Sequence, residues 1–397
     1  MIPIELSEAS ARRALGGLRE GVDLGDEPLD PAEVYARAVW SVLVEPGDSE
    51  AGVLIAAVGA AAALRVVMEG RGDALDRARA RWMPRLRPSA VDTALDAARR
   101  CGARLVVPGD AAWPARFDDL EAHAPVALWR RGRGTPSDAP AVALVGARAA
   151  TAYGEGVAAD LAAELAAAGA VVISGAAYGI DGACHRGALS TGGTTVAFLA
   201  GGVDRPYPRG HEGLLERIAA TGAVWSETPC GAAPTKWRFL SRNRLIAAMA
   251  DAVVVIEAGW RSGSLNTAGH AAMLGRRLGA VPGPITSAAS AGCHRVLREF
   301  DGVCVTSAAD VLEMLGAGGP PAGDSGRAAD AGRTDDTTRL FDALSPRSAR
   351  SVDDVARRSG LARDDAAVLL GFAELEGRAV RDDDGAWRSA TRGSTRS

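Results

Sequence analysis

Residues 141–181 read AVALVGARAATAYGEGVAADLAAELAAAGAVVISGAAYGID, and this stretch decides the fold. Val142–Val145 and Val171–Ile173 are short apolar runs rich in β-branched side chains. Each is followed by a glycine-bearing loop, and Tyr153–Ala168 between them has helical character. Strand, helix, strand in this order predicts a βαβ unit with both sheet faces covered. The pattern continues C-terminally. Further strand-like runs are Thr195–Leu199, Ala223–Trp225 and Ala252–Ile256, alternating with helical Leu214–Ala220 and Leu265–Leu274. Right-handed crossovers then give an α/β, doubly wound, parallel sheet.

Before this region the chain reads as helices. Pro31–Val44 follows Asp30, a suitable N-cap, with proline at the first helical position. Ala51–Met68 and Ser89–Arg100 continue the pattern, giving a helical front over 1–110 and a sheet domain over 111–315. Residues 316–336 are rich in Gly, Pro, Ala and Asp and predict a flexible linker. Thr338–Leu344, Ser351–Arg358 and Arg363–Glu376 suit three helices, and Val380–Trp387 suits a hairpin turning at Asp383-Asp384-Gly385. That is the outline of a winged helix over 337–390, followed by a tail, 391–397.

Composition narrows the function. The chain has 397 residues, 45 basic and 49 acidic, for a net charge of −4, which excludes a histone-like or basic-tail protein. The apolar run Ala51–Leu64 is too short and too rich in Ala and Gly to span a bilayer. The N-terminus has no secretory pattern. Five scattered cysteines point to reduced thiols and a cytoplasmic location. No cofactor, metal or catalytic constellation emerges. Neither GxGxxG nor GxxxxGK[ST] is present, and Cys184 and His185 point in different directions on a helix. His185 is expected to be structural, and Asp181, Asp204 and Glu227 to brace loops.

In an open α/β sheet, ligands sit beyond the carboxyl ends of the strands. Four strand ends carry loops suited to close backbone approach: Gly146–Arg148, Ser174–Asp181, Ala200–Asp204 and Ser262–Thr267. Glycine loops and helix N-termini favour anions, so a phosphate-bearing ligand is expected. The segment Lys236–Arg244, KWRFLSRNR, holds four cations, two aromatics and no acid, and Lys236 is the only lysine in the chain. Such a segment suits a run of phosphates with stacked bases. It equally suits a helix start with Trp237 and Phe239 in the core.

At these loops the chain resembles the DNA-processing protein family DprA/Smf. The matching blocks are VALVGARAATAYG from Val142, ISGAAYGIDGACHRGAL from Ile173, FLAGGVDRPYP from Phe198, SETPCGAAPTKWRFLSRNRLIA from Ser226, and SGSLNTAGHAAMLGRRLGAVPGPI from Ser262. The resemblance implies an extended Rossmann-like domain that binds single-stranded DNA, a SAM-like helical front and a winged-helix end. It implies a homodimer that protects incoming strands during natural transformation and helps load the recombinase RecA, with no known enzymatic activity. The implied nucleic-acid contacts are Arg148, Gly175, Gly179, Asp181, Lys236, Phe239, Arg242, Asn243, Arg244, Ser262, Gly263, Ser264 and Thr267.

Three departures stand out: Ala147 replaces the family's usual Ser, His211 the Asn after the YP turn, and Leu240 the Pro before RNR. The candidate recognition helix, Arg363–Glu376, carries Asp364, Asp365, Glu374 and Glu376 against one Arg, which favours a protein contact or structural role over duplex DNA. A phosphoribohydrolase on a related fold and a nucleotide sensor are the competing readings. The first is disfavoured because Gly269 or His270 stands where its catalytic Glu would be.

Overall fold

A computed structural model describes residues 4–25, 28–70, 75–133, 139–316, 336–375, 377–382 and 384–390. They fall into two compact units, Met1–Gly318 and Gly319–Ser397. The larger opens with α1 (Glu8–Leu15), α2 (Pro31–Leu43), α3 (Ser49–Val58), α4 (Ala60–Glu69), α5 (Asp76–Trp82) and α6 (Pro88–Arg100). Asp30 caps α2 by accepting from the Ala32 amide at 2.9 Å. The expected single helix over 51–68 is instead two, bent by 112° at Gly59. Glu33 accepts the Ala60 and Ala61 amides at 2.7 and 3.1 Å, which satisfies the start of α4 and fixes the break. Among the described residues no single helix is long and apolar enough to cross a membrane.

A nine-stranded sheet follows: β1 (Arg104–Val106), β2 (Leu128–Gly132), β3 (Ala141–Gly146), β4 (Val171–Ser174), β5 (Thr195–Phe198), β6 (Ala223–Ser226), β7 (Ala252–Glu257), β8 (Arg277–Ala280) and β9 (Val303–Cys304). Its order is β1-β2-β6-β5-β4-β3-β7-β8-β9. The strands from β3 onward pair in parallel, whereas β2 is antiparallel to both β1 and β6. The sheet is therefore mostly parallel, with an antiparallel edge where a wholly parallel one was expected. Strand order reverses at β3, which pairs with β4 on one side and β7 on the other. Such a switch point opens a crevice at the carboxyl ends of the strands.

Side chains alternate along β3. Val142 and Leu144 face α7 (Ala152–Ala167), α8 (Ile180–Ser190) and α13 (Ala308–Met314). Ala143 and Val145 face α10 (Lys236–Met249), α11 (Ser264–Met273) and α12 (Ala291–Glu299). The expected divide at residue 110 falls inside this unit. The sheet begins at Arg104, and Trp129, Ala197 and Val224 of the sheet share one apolar core with Trp40, Leu64 and Leu95 of the front helices. α9 (Glu212–Thr221) adds Leu215 and Ile218 to it.

The smaller unit contains α14 (Asp336–Ala343), α15 (Val352–Ser359), α16 (Arg363–Leu375) and an antiparallel hairpin of β10 (Ala379–Arg381) and β11 (Trp387–Ser389). Ser351 caps α15 by accepting from the Asp354 amide at 3.3 Å. Leu340, Val355, Leu370 and Trp387 form its core. The outer face of α16 leaves Val368, Phe372 and Leu375 exposed. Most of the expected linker, the tail 391–397, Glu376 and Asp383 lie outside the described residues.

Candidate functional site

A cavity of about 350 Å³ lies at the carboxyl end of β3. It is bounded by the loops after β3 and β7 and by α10, so it occupies the crevice created by the switch point.

The loop after β3 is held from both ends. Thr151 caps α7 by accepting from the Gly154 amide at 3.1 Å, and its own amide and hydroxyl both donate to Glu257 at the end of β7. On the other side, Ile180 N–H donates to the Ala147 carbonyl at 3.2 Å. Gly179 has φ +73°, and a Cβ there would lie 2.4 Å from that carbonyl. Only glycine lets the two backbones approach this closely. The loop so fixed presents Arg148 to solvent, with its guanidinium 4.4 Å from the centre of the Phe239 ring.

α10 supplies the floor. Thr235 caps it by accepting from the Arg238 amide at 3.3 Å. Arg242 is buried and donates to the Gly175 carbonyl at 2.8 Å and to the Phe198 carbonyl. A Cβ on residue 175 would sit 2.3 Å from that guanidinium. Burial lowers the Arg242 pKa to about 10, with Asp181 opposing the shift, so the group stays cationic at neutral pH. Burial likewise raises the Asp181 carboxyl, against the pull of Arg242 and of the Ala177 N–H that it accepts at 3.3 Å. Asn243 donates to the Gly263 carbonyl at 3.3 Å and to Asn266 Oδ1 at 3.2 Å, tying α10 to the loop before α11. The Ser262 and Ser264 hydroxyls are 2.8 Å apart. At the start of α11 the Ser264 amide donates to the Ser262 hydroxyl at 3.4 Å, and the Leu265 and Asn266 amides donate to the Ser262 and Gly263 carbonyls at 3.2 and 3.1 Å. What this end offers an anion is therefore the helix dipole and the two hydroxyls.

Of the expected contacts, Arg148, Asp181, Phe239, Arg242, Asn243, Ser262, Gly263, Ser264 and Thr267 line one cavity. Gly175 and Gly179 support it from behind. Lys236 is exposed on the first turn of α10, outside the lining. Arg244 lies elsewhere. It is buried, donating to the His123 carbonyl at 3.0 Å and to Glu227, whose carboxylate is 2.7 Å away. Arg238 is likewise paired, with Glu45 at 2.8 Å. Among the described residues no ion pair engages Arg148, Lys236 or Arg261, and these three are exposed. The cations open to a ligand are thus not mainly those of the RNR block.

Sequence reasoning missed Tyr207, whose ring lies 5.3 Å from Phe239 and is 46% exposed. It belongs to the quoted FLAGGVDRPYP block, and that was the available signal. Trp237 is not in the core: it is 63% exposed, beside Glu45, Arg81 and Arg85. His185 is buried 2.7 Å from Thr195 Oγ1, which itself donates to Val172 O. Burial lowers its pKa to about 3. His211, the departure from the family's Asn, lies 3.0 Å from the Ala176 carbonyl and edge-on to Tyr178, bracing the glycine loop. Asp204 accepts the Gly231 amide at 2.8 Å.

Comparison with known proteins gives consistent results. The family model described as DNA recombination-mediator protein A matches residues 104–316, and the DprA winged helix domain matches 324–385. A DNA processing protein DprA of Mycobacterium tuberculosis is 45% identical over 376 residues, covering 91% of this chain and 95% of that protein. The DNA processing protein DprA of Streptococcus pneumoniae is 41% identical over 193 residues, covering 48% of this chain and 66% of that protein. The X-ray structure of DNA processing protein A from Streptococcus pneumoniae superposes with a TM-score of 0.58 at 29% identity, covering 71% of this chain and 97% of that one.

Proposed function

Because this chain belongs to the DNA recombination-mediator protein A (DprA/Smf) family, we propose that it binds single-stranded DNA in the crevice at the end of β3. It acts by holding and protecting the strand rather than by cutting it, and passes it to the recombinase RecA during DNA uptake and recombination. It works as a homodimer in the cytoplasm. The observation that carries this reading is the Arg148–Phe239 stack at the rim of a crevice that also holds the positive end of the α11 dipole. An aromatic face takes a base of any identity, and an unpaired cation beside a helix N-terminus takes the phosphate next to it. The acidic first turn of α16, with its apolar outer face, suits a protein contact better than duplex DNA.

The test is fluorescence anisotropy of a labelled single-stranded oligonucleotide, titrated with salt and challenged with unlabelled duplex. Binding should survive the duplex. Three phosphates neutralised by Arg148, Lys236 and Arg261 give a slope of log K against log salt of about −2. Absence of binding at low salt would sink the proposal and return the crevice to a small phosphate ligand.

A further inference from the structure

The turn between β7 and α11 repeats the chemistry of the Phe239 rim. Ser262 N–H donates to the Gly259 carbonyl at 3.0 Å, which places Trp260 and Arg261 at the corner of a tight turn. Trp260 is 58% exposed. A tryptophan with more than half its surface in water contributes little to a core, and its ring remains available to a ligand. The guanidinium of Arg295, from α12, lies 5.3 Å from the ring centre and is itself held by Glu299 at 2.5 Å. The chain therefore has a second arginine–aromatic stack of the same kind: Arg148 on Phe239 at the cavity, and Arg295 on Trp260 outside its lining, in the turn that leads into it. The next residues after Trp260 are Arg261, exposed and without an ion pair among the described residues, and then Ser262 and Gly263, which line the cavity.

We propose that Trp260 is a second base-stacking station and that Arg261 contacts the adjoining phosphate. The strand runs from the Phe239 rim across the N-terminus of α11 to the β7–α11 turn. The ligand is a nucleobase of a single strand; a paired base buries both faces in its own stack and cannot lie on an isolated ring. This inference rests on the single-strand reading above.

The experiment compares full-length wild type with Trp260→Ala, Trp260→Leu, Trp260→Tyr and Phe239→Ala on single-stranded oligonucleotides of about four and about twelve nucleotides. Ala and Leu at 260 should weaken binding of the longer strand roughly five- to a hundredfold, the range expected for one lost base stack. Tyr should restore most of it, because it returns an aromatic face, whereas Leu returns only apolar area. The shorter strand, seated at Phe239, should lose less. Arg261→Ala should make the salt slope shallower by about 0.7. Thermal unfolding distinguishes lost contact from lost fold, and the exposed position predicts an unchanged midpoint. If Trp260→Ala matches wild type on the longer strand while Phe239→Ala binds poorly, the second station is wrong and the crevice stands. If wild type binds neither strand, both readings fall.

Discussion

The guanidinium of Arg244 lies 2.7 Å from the carboxylate of Glu227, and both side chains are buried. Glu227 also accepts the Gly47 amide at 3.1 Å, so the pair ties the end of β6 and α10 to the helical front. Removing one partner strands the other charge in a poorly solvated site, at a cost of about 3–5 kcal/mol. Arg244→Ala should therefore lower the denaturation midpoint strongly. Its folded fraction should bind DNA with close to normal affinity. The comparison is urea unfolding against anisotropy at a concentration where the variant is folded. A stable variant with weak binding would place Arg244 on the strand after all.

Arg148 and Phe239 touch, yet their losses should be separable by salt. Arg148→Ala removes a cation, so affinity should fall for all sequences and the log–log slope should become shallower by about 0.7. Phe239→Ala removes a stacking face, worth about 1–3 kcal/mol, and should leave the slope unchanged. Equal slopes for the two variants would contradict these roles.

His185 links stability to pH. Its folded pKa, lowered to about 3 by burial, lies below the ordinary histidine value near 6.5. Between these values the unfolded chain binds a proton that the folded chain refuses. The contribution is present above about pH 6.5 and is lost as pH falls toward 3, by about 1.4 kcal/mol per pH unit. His185→Gln should flatten the fall of the urea midpoint between about pH 6.5 and pH 5. Parallel wild-type and variant profiles would show that another group controls this range.

The central strands were legible because Val142–Val145, Val171–Ile173 and Ala252–Ile256 are β-branched runs closed by turn residues, and the structure makes each a strand. β2 was not legible, since Leu128–Gly132 contains Arg130 and Arg131, and β9 is only two residues long. Such strands are set by their neighbours in the sheet rather than by their own pattern. At the site, residue types identified the crevice but not which cations remain open. Arg242 and Arg244 look like surface cations in a helix. Their burial depends on carbonyls of Gly175, Phe198 and His123, which are distant in sequence. The Arg295–Trp260 stack joins two segments that no local pattern connects.

The front helices share one apolar core with Trp129, Ala197 and Val224 of the sheet. Those helices are the roof over one end of the sheet, and taking them away would leave its tryptophan floor open to water. A chain cut just before β1 would therefore not be a smaller version of this protein but a sticky one, needing a new cover before it could fold alone. A chain without this front needs either another cover over the positions of Trp129, Ala197 and Val224 or smaller and more polar residues there.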